Sequence, residues 1–263
     1  MGELAHDRQG AGEPLVMLHG LGSRRQAWKP VVELVRGQRE VLNVDLPGFG
    51  ESAPDERGTE LTVSDYADRI QRFLAEAGVE RPHLGGNSMG GGIALELGRR
   101  GAARSVTVFS PIGFWRPLGR AWCRSSLRAG YELGRRLPES AQTLTGTRLS
   151  LFVFAFGRPF KAPAQEVWET AASGQAAPGF KDALTYGLAY DFGDPGALRE
   201  IPLTVAWGRR DVLLPGWSQS RRARRSLPWA RHVSLPRCGH VPFYDDPRLC
   251  AAVLLEGSSA VAG

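Results

Sequence analysis

A serine between glycines is the first feature of this chain that could carry covalent chemistry. Residues 86–90 read Gly-Asn-Ser-Met-Gly, the G-x-S-x-G form in which a serine lies on a sharp turn between a strand and a helix. Such a turn strains the backbone at Ser88, and it is tolerable only if Gly86 and Gly90 bring no side chains to collide. The alternative is a glycine-rich turn that contains a serine by chance. Ser88 is therefore a candidate nucleophile whose partners must lie elsewhere in the chain.

A histidine is the next requirement, because serine is a poor nucleophile unless a base lies within hydrogen-bonding distance. The chain has five histidines. His6, His83 and His232 are expected to be structural, and His19 is expected to brace the loop after the first clear strand. His240 follows the last predicted strand and so lies at that strand's carboxyl end. We predict that His240 is the base.

A carboxylate must orient the base, and Asp211 is the candidate. It follows a predicted strand at residues 203–207 through Gly-Arg-Arg, and the carboxyl ends of parallel strands share one edge of a sheet. Asp45 also stands at a strand end, but it begins a Pro-Gly turn and is interpreted as structural. The poorer candidates fall in a predicted helical insertion: Asp182, Asp191 and Asp194.

Two backbone amides are placed to bind a developing oxyanion. Met89 begins the helix after Ser88, and Leu21 lies in the loop after the first clear strand. Each donor of this kind is worth about 10²–10³ in rate. Four separate segments are thus predicted to meet at one edge of one sheet, which favours a serine hydrolase.

The rest of the chain predicts a sheet that can hold these residues at one edge. Short apolar segments alternate with helical ones, which indicates an α/β fold with a mostly parallel sheet flanked by helices. The predicted strands are residues 15–18, 41–44, 81–85, 105–109, 203–207 and 232–235. The clearest amphipathic helix is predicted at residues 64–77, capped by Ser64. Its apolar face is formed by Tyr66, Ile70, Phe73 and Leu74.

The alternation stops at residues 112–195, where helical segments separated by Gly and Pro predict an inserted helical cap. The predicted domains are a core of residues 1–111 and 196–263 and a cap of residues 112–195. The apolar run 149–156 could line a substrate pocket, meet a membrane surface, or hold the cap against the core, and the last is the simplest expectation. Substrate contacts are expected from Trp115, Phe152, Phe156 and Val241.

Composition favours a globular protein over other classes. The chain has 263 residues, 42% of them apolar and 23% charged. Its net charge of +6 rests on arginine, since only three of its 33 basic residues are lysines. The densest basic run, residues 221–225, has no interleaved aromatic residues. We therefore expect this run to be a solvated helix face rather than a nucleic-acid site.

Cysteine usage and the N-terminus bear on the compartment. Three cysteines, an odd number without metal-ligand spacing, predict neither a disulfide framework nor a zinc site. The N-terminus has no apolar signal segment, and no segment reaches the length needed to span a bilayer. We expect a cytoplasmic protein that is a monomer or a homodimer.

The chain resembles the α/β-hydrolase superfamily, in particular its cap-bearing members. The shared motifs are His-Gly-x-Gly at 19–22, Asp-x-Pro-Gly-x-Gly at 45–50, the serine turn at 86–90, Gly-x-x-Asp at 208–211 and Gly-His at 239–240. The chain order Ser88, Asp211, His240 is also that of the superfamily. The resemblance implies an α/β-hydrolase fold in which these three residues form a catalytic triad and Leu21 and Met89 form the oxyanion hole. It implies no metal and no cofactor.

The implied reaction is hydrolysis of an ester, lactone or thioester through an acyl-enzyme. An alternative enzyme is a carbon–carbon bond hydrolase of ring-fission diketones, which residues 86–91 and 238–240 also resemble, although Val241 stands where those enzymes usually carry tryptophan. A ligand receptor without activity and a membrane-surface lipase remain further alternatives. The expected partner is a small to medium apolar acyl substrate, with no nucleic acid and no stable membrane insertion.

Overall fold

A seven-stranded sheet forms the centre of the molecule. The computed structural model describes residues 4–136 and 155–259. Its strands are β1 (His6–Gln9), β2 (Glu13–Leu18), β3 (Arg39–Val44), β4 (His83–Asn87), β5 (Ser105–Phe109), β6 (Leu203–Gly208) and β7 (Arg231–Leu235). Their order across the sheet is β1-β3-β2-β4-β5-β6-β7. β1 is antiparallel to β3, and every other pair is parallel. The six predicted strands are present, and the α/β prediction is confirmed.

β1 is the strand that sequence patterns did not predict. It consists of His-Asp-Arg-Gln and has no apolar residue. Edge strands carry charged side chains because their free edge would otherwise pair with other chains. An edge strand therefore lacks the apolar signal that marks the buried strands.

Eight α-helices occur in the described ranges. They are α1 (Lys29–Val35), α2 (Val63–Glu76), α3 (Met89–Arg99), α4 (Pro117–Arg136), α5 (Ala164–Ala176), α6 (Phe180–Ala183), α7 (Gln219–Ser226) and α8 (Pro247–Ser259). Short 3-10 helices lie at Arg25–Trp28, Gly187–Ala189 and Gly196–Glu200. None of the helices in these ranges combines the length and the apolar character that a bilayer crossing requires.

The start of α2 corrects one prediction. Thr62, not Ser64, is the N-cap, and its side chain accepts the N–H of Asp65 at 3.3 Å. The Asp65 carboxylate in turn accepts the N–H of Thr62 at 2.9 Å, which completes a capping box. The predicted apolar face of this helix is confirmed, because Tyr66, Ile70, Phe73 and Leu74 are all buried.

The sheet is covered on both faces, as successive side chains of β2 show. Val16 and Leu18 belong to one buried cluster, which α2 and α3 complete. Leu15 and Met17 belong to a second cluster around Trp28, which stacks on Phe243 with ring centroids 3.7 Å apart. Alternate residues of a strand point to opposite faces. Every central strand is therefore buried on both sides, as parallel sheets require.

The segment between β5 and β6 is helical where it is described. It contains α4, α5 and α6, and no strand occurs within residues 110–136 or 155–202. These helices match the predicted insertion, whereas the boundaries of core and cap stay a prediction. The basic run 221–225 lies on α7, with its four arginines exposed and Ala223 buried.

Candidate active site

Ser88 lies where β4 ends and α3 begins. Its backbone has φ 55° and ψ −116°, a region that costs energy for a residue with a side chain. The surroundings fix this conformation, since the Ser88 N–H donates to the carbonyl of Phe109 at 3.0 Å. The Ser88 carbonyl accepts the N–H groups of Gly92 and Ile112 at 3.0 and 3.1 Å. Strain at this position is consistent with the functional role that the sequence predicts for Ser88.

The two flanking glycines are required by sterics. A Cβ on Gly86 would stand 2.4 Å from the carbonyl oxygen of Gly90. A Cβ on Gly90 would stand 2.3 Å from the carbonyl oxygen of Leu18. Both distances are far below van der Waals contact, so no other residue fits either position. The predicted reason for the glycines is confirmed.

His240 is held by Asp211, on the loop after β6. The Nδ1 atom of His240 donates to Oδ2 of Asp211 at 2.9 Å, and both side chains are buried. The other carboxylate oxygen, Oδ1, accepts the N–H groups of Leu213 at 3.0 Å and Leu214 at 2.8 Å. With the hydrogen on Nδ1, the Nε2 atom of His240 is the free acceptor of the ring. Within the described ranges Nε2 is buried and has no hydrogen-bond partner.

Ser88 and His240 line the same cavity, which has a volume of about 190 Å³. The walls are mainly apolar and include Leu127 and Tyr131 from α4 and Val167 from α5. A cleft that brings an orphaned imidazole nitrogen and a strained serine to one apolar space has the composition expected of an acyl-transfer site.

The predicted substrate contacts have three different outcomes. Phe156 and Val241 line the cavity. Trp115 does not, because its indole N–H donates to the carbonyl of Tyr190 at 2.9 Å and its side chain packs in the core. We therefore remove Trp115 from the set of substrate contacts. Phe152 lies outside the described residues.

The loop after β2, residues 20–24, brings Leu21 to the cavity wall, and we call it the oxyanion loop after the donor that the sequence predicts there. The loop turns through a hydrogen bond from the Ser23 N–H to the Gly20 carbonyl at 3.1 Å. His19 braces it, as predicted: Nδ1 donates to the Gly20 carbonyl at 2.8 Å, and Nε2 accepts the Leu46 N–H at 3.0 Å. Burial lowers the pKa of His19, which keeps the ring neutral in this arrangement.

Met89 is the first residue of α3, next to Ser88 in sequence. The first N–H groups of a helix have no carbonyl partner within the helix. Together with the helix dipole, they favour negative charge at this end. The positions of Leu21 and Met89 therefore suit the role of oxyanion donors that the sequence predicts for them.

The structure also shows what surrounds Asp45, the aspartate that we interpreted as structural. Asp45 is fully buried and accepts the N–H groups of Arg25 at 2.6 Å and Glu51 at 3.0 Å. Its carboxylate also pairs with the Arg25 guanidinium. Asp45 fills the space beside Gly50, where a Cβ would stand 2.2 Å from the carboxylate. The prediction that Asp45 builds its turn is confirmed.

Asn87 and Asp245 are two residues of the site that sequence reasoning missed. The Asn87 amide donates to the carbonyls of Phe109 and His240, each at 3.0 Å, and so ties the end of β4 to the histidine loop. The Asp245 carboxylate accepts the Gly239 N–H at 2.8 Å, one residue before His240. In the sequence, Asn87 is a polar residue within the serine turn and Asp245 is one of two aspartates shortly after His240. Neither pattern by itself indicates a role.

A comparison with known families decides the classification. A sequence profile described as the alpha/beta hydrolase family matches residues 15–253, which contain Ser88, Asp211 and His240. The chain belongs to the alpha/beta hydrolase family. The predicted superfamily and fold are thereby confirmed. Within the described ranges no group of three or more His, Cys, Asp or Glu side chains is arranged to hold a metal ion.

Two curated hydrolases of comparable length are similar to this family member. The pimeloyl-[acyl-carrier protein] methyl ester esterase of Nitrosomonas europaea is 29% identical over 262 residues, 94% of this chain and 96% of the esterase. Epoxide hydrolase EphH of Mycobacterium tuberculosis is 32% identical over 205 residues, 71% of this chain and 90% of the relative.

Two further similarities are partial or confined to the fold. The dihydrolipoyllysine-residue acetyltransferase component of the acetoin cleaving system of Cupriavidus necator is 37% identical over 110 residues. That match covers 41% of this chain but only 29% of the relative. Among solved structures, the esterase EaEST from Exiguobacterium antarcticum has the same fold, with a TM-score of 0.75 and 17% identity over 99% of this chain and 100% of that one. These two similarities concern the fold, whereas the family match and the two relatives of comparable length identify the chain as a hydrolase of the α/β fold.

Proposed function

We propose that this hydrolase is a serine esterase that cleaves a carboxylic ester, lactone or thioester with a small to medium apolar acyl group. Ser88 is the nucleophile, His240 the base, and Asp211 the carboxylate that orients the base. The observation that carries the proposal is the His240 ring, whose Nδ1 is held by Asp211 while Nε2 is buried without a partner beside the cavity that Ser88 lines. A histidine held in this tautomer is prepared to accept a proton from a serine hydroxyl.

The steps of the reaction follow from these positions. His240 Nε2 takes the Ser88 proton as Oγ attacks the substrate carbonyl, and the N–H groups of Leu21 and Met89 bind the oxyanion that develops. His240 returns the proton to the leaving oxygen or sulfur, which leaves an acyl group on Ser88. Water, deprotonated by the same nitrogen, then releases the acid. No cofactor enters this scheme.

The cavity and the relatives support the substrate class. A volume of about 190 Å³ with mainly apolar walls suits an acyl chain of moderate length. An esterase similar over 94% of this chain supports an ester as the bond cleaved. Epoxide opening, the activity in the name of EphH, does not suit a serine nucleophile. It would leave an ether on Ser88, and water does not hydrolyse an ether.

The test is labelling with a fluorophosphonate probe, which reacts with an activated serine. The wild-type chain is expected to react with the probe, and Ser88→Ala is expected not to react. In the same variant, kcat for the best ester should fall about 10⁴–10⁶-fold. A series of p-nitrophenyl esters, run beside a ring-fission dienoate, then identifies the bond and the chain length. Unlabelled but folded wild-type protein would contradict the proposal and favour a ligand receptor.

A further inference from the structure

Two neighbouring surface helices carry positive charge almost without acidic residues. α4 contains five arginines and one glutamate, and α7 contains four arginines and no acidic residue. Arg120 is paired with Asp191. No salt bridge occurs, within the described ranges, for six exposed arginines: Arg124, Arg128, Arg221, Arg222, Arg224 and Arg225. These helices therefore present unneutralised charge to their surroundings.

Large apolar side chains project from the same region. Leu118 in the first turn of α4 is 86% exposed, and Trp217, two residues before α7, is 75% exposed. Trp122, one turn after Leu118 on the same helix face, is 47% exposed. Isolated exposed apolar residues are ordinary, but three large ones among arginines form an unusual surface for a protein in water.

Two contacts show that the start of α4 lies beside the segment that leads into α7. The Trp122 indole N–H donates to the carbonyl of Val212 at 2.9 Å, on the loop that leads to Trp217. A Cβ on Gly119 would stand 3.7 Å from Nε2 of Gln219, the first residue of α7. The start of α4 therefore adjoins the start of α7. We call Leu118, Trp122 and Trp217, with the four arginines of α7, the arginine–tryptophan surface.

We propose that the arginine–tryptophan surface docks on a lipid bilayer that contains anionic phospholipids. Arginine binds phosphate and is attracted by the negative potential of such a bilayer. Tryptophan is favoured at the headgroup level because its ring is apolar while its N–H is polar, and Trp217 is the more exposed of the two tryptophans. Transfer of the neighbouring leucine side chain from water to the acyl-chain region lowers its free energy. The surface supplies all three groups on adjoining elements.

Other occupants fit fewer of these observations. A second copy of the chain would bring the same arginines together, and like charges at an interface repel. A nucleic acid would neutralise the arginines through its phosphates, but it offers no apolar phase to Leu118. A bilayer satisfies the charge and the apolar side chains together.

Docking would place the bilayer close to the cavity. The inner side of α4 lines the cavity through Leu127 and Tyr131, and Leu118 lies on the outer side of the same helix. Leu118 and Leu127 are nine residues apart, about 14 Å along a helix about 10 Å wide, so about 17 Å separates the lipid from the cavity. This inference goes beyond the proposed esterase reaction, and it holds or fails whichever bond the site cleaves.

The test is co-sedimentation of the full chain with lipid vesicles, which does not depend on activity. Wild-type protein should sediment with vesicles of phosphatidylglycerol and phosphatidylcholine, more weakly with pure phosphatidylcholine, and less as salt is raised. The double variant Leu118→Ser, Trp217→Ser should bind the anionic vesicles about tenfold less. Leu34→Ser on α1, which removes another exposed leucine, should bind like wild type. Arg224→Gln with Arg225→Gln should reduce binding, whereas Arg36→Gln, also exposed, should not.

Several results would overturn the proposal. They are absence of sedimentation with anionic vesicles at low salt, undiminished binding by the Leu118, Trp217 variant, and equal binding to neutral vesicles. An oligonucleotide that binds with the same dependence on Leu118 and Trp217 would also overturn it. Circular dichroism checks the fold of each variant. A blue shift of the wild-type tryptophan fluorescence on vesicles, reduced in Trp217→Ser, supports the proposal without any quantitative comparison of affinities.

Discussion

At the scale of single residues, the Asp211 carboxylate serves both the imidazole and its own loop. Oδ2 accepts from His240, and Oδ1 accepts the N–H groups of Leu213 and Leu214. Asp211→Asn keeps the size of the side chain. With the amide oxygen toward the loop, however, its NH₂ group faces Nδ1 and favours the wrong tautomer. We expect kcat for the best ester to fall about 10⁴-fold, measured by steady-state hydrolysis.

The matched control for this prediction is Asp194→Asn, an exposed aspartate of the predicted cap that was a poorer candidate for the acid. Its kcat should equal that of the wild type. If folded Asp211→Asn lost less than about tenfold in kcat, the orienting role would be wrong.

Asp245 joins the histidine loop to residues 157–158 of the predicted cap. Its carboxylate accepts three backbone N–H groups, from Gly157 at 2.8 Å, Arg158 at 2.6 Å and Gly239 at 2.8 Å. Burial raises the pKa of this carboxyl, although the three donors oppose the shift. Asp245→Ala leaves these donors without their acceptor, so we expect a loss of about 2–4 kcal/mol in the free energy of unfolding. Urea denaturation measures it.

Asp246 is the natural control because it is the adjacent residue of the same type. Its carboxylate accepts one N–H, from Leu249 at 3.2 Å at the start of α8, and lies 3.8 Å from the Arg158 guanidinium. Asp246→Ala should cost about 1 kcal/mol, the usual effect of a lost helix cap. Equal losses in the two variants would show that Asp245 has no special part in joining the two loops.

At the scale of elements, α5 meets the oxyanion loop backbone to backbone. A Cβ on Gly174 of α5 would stand 2.5 Å from the carbonyl oxygen of Gly22. The Arg24 guanidinium of the same loop pairs with Glu169 at 2.6 Å and with Glu166 at 3.2 Å, both on α5. The helix and the loop that carries Leu21 are thus joined at two points. The position of α5 therefore bears directly on the proposed oxyanion donor.

Gly174→Ala tests this connection. The added methyl cannot fit against the Gly22 carbonyl, so either α5 or the loop must move by a few tenths of an ångström or more. Small displacements in an active site reduce rate strongly, by about 10²-fold for 1 Å. We expect kcat to fall by about 10- to 100-fold, with a smaller change in KM, in steady-state assays.

Gly119→Ala is the control, because Gly119 belongs to α4, which borders the cavity, but does not itself line the cavity. A Cβ on Gly119 would stand 3.7 Å from Nε2 of Gln219, which is an ordinary contact. Its kcat should stay near that of the wild type, and its helix should gain slightly in stability. Wild-type kcat in Gly174→Ala would show that the oxyanion loop keeps its geometry without α5.

Local patterns predicted the elements of this protein well, and contacts between distant elements less well. The segments of Ser88, Asp211 and His240 carried local signals, a glycine turn and two strand ends, and the parallel sheet brings such ends together. Thr62 was missed as the cap of α2 because Ser64 also bears a hydroxyl. The Thr-x-x-Asp spacing of a capping box was nevertheless readable.

The walls of the cavity were less predictable for a physical reason. Trp115 was expected to contact substrate, but its indole N–H meets the carbonyl of Tyr190, 75 residues further along the chain. Val167 lines the cavity because of how α5 packs on the core, and the low amphipathicity of that helix gives little indication of which side faces inward. Helix orientation in an insertion depends on packing between elements, which no short sequence pattern records.

At the scale of the whole molecule, burial of histidines makes the folded state sensitive to acid. Burial lowers the pKa of His19, His83 and His232 below the value of 6.5 that an unfolded chain shows, because the charged ring is poorly solvated. A hydrogen bond that the His83 ring donates to the Glu13 carboxylate only partly opposes the shift at His83. Between the folded and unfolded pKa values the unfolded chain binds more protons. The neutral imidazoles therefore make their full contribution to the free energy of unfolding above pH 6.5. This contribution is lost as the pH falls through the folded pKa values.

We accordingly expect the free energy of unfolding to decline as the pH falls from about 6.5 to about 5, before most carboxylates titrate. Urea denaturation at several pH values between about 8 and 5 measures the decline. His232 Nε2 contacts the Leu227 carbonyl at 2.8 Å, and a glutamine amide can donate to the same carbonyl. Because glutamine does not titrate, the decline in the free energy of unfolding should be shallower in His232→Gln. A second fall is expected below about pH 4.5. There Glu96 becomes protonated and its ion pairs with Arg99 and Arg100 are lost. Burial raises the pKa of Glu96, but the two arginines lower it by more. Constant stability between pH 8 and 5 would mean that the imidazoles are solvated when charged, contrary to their burial.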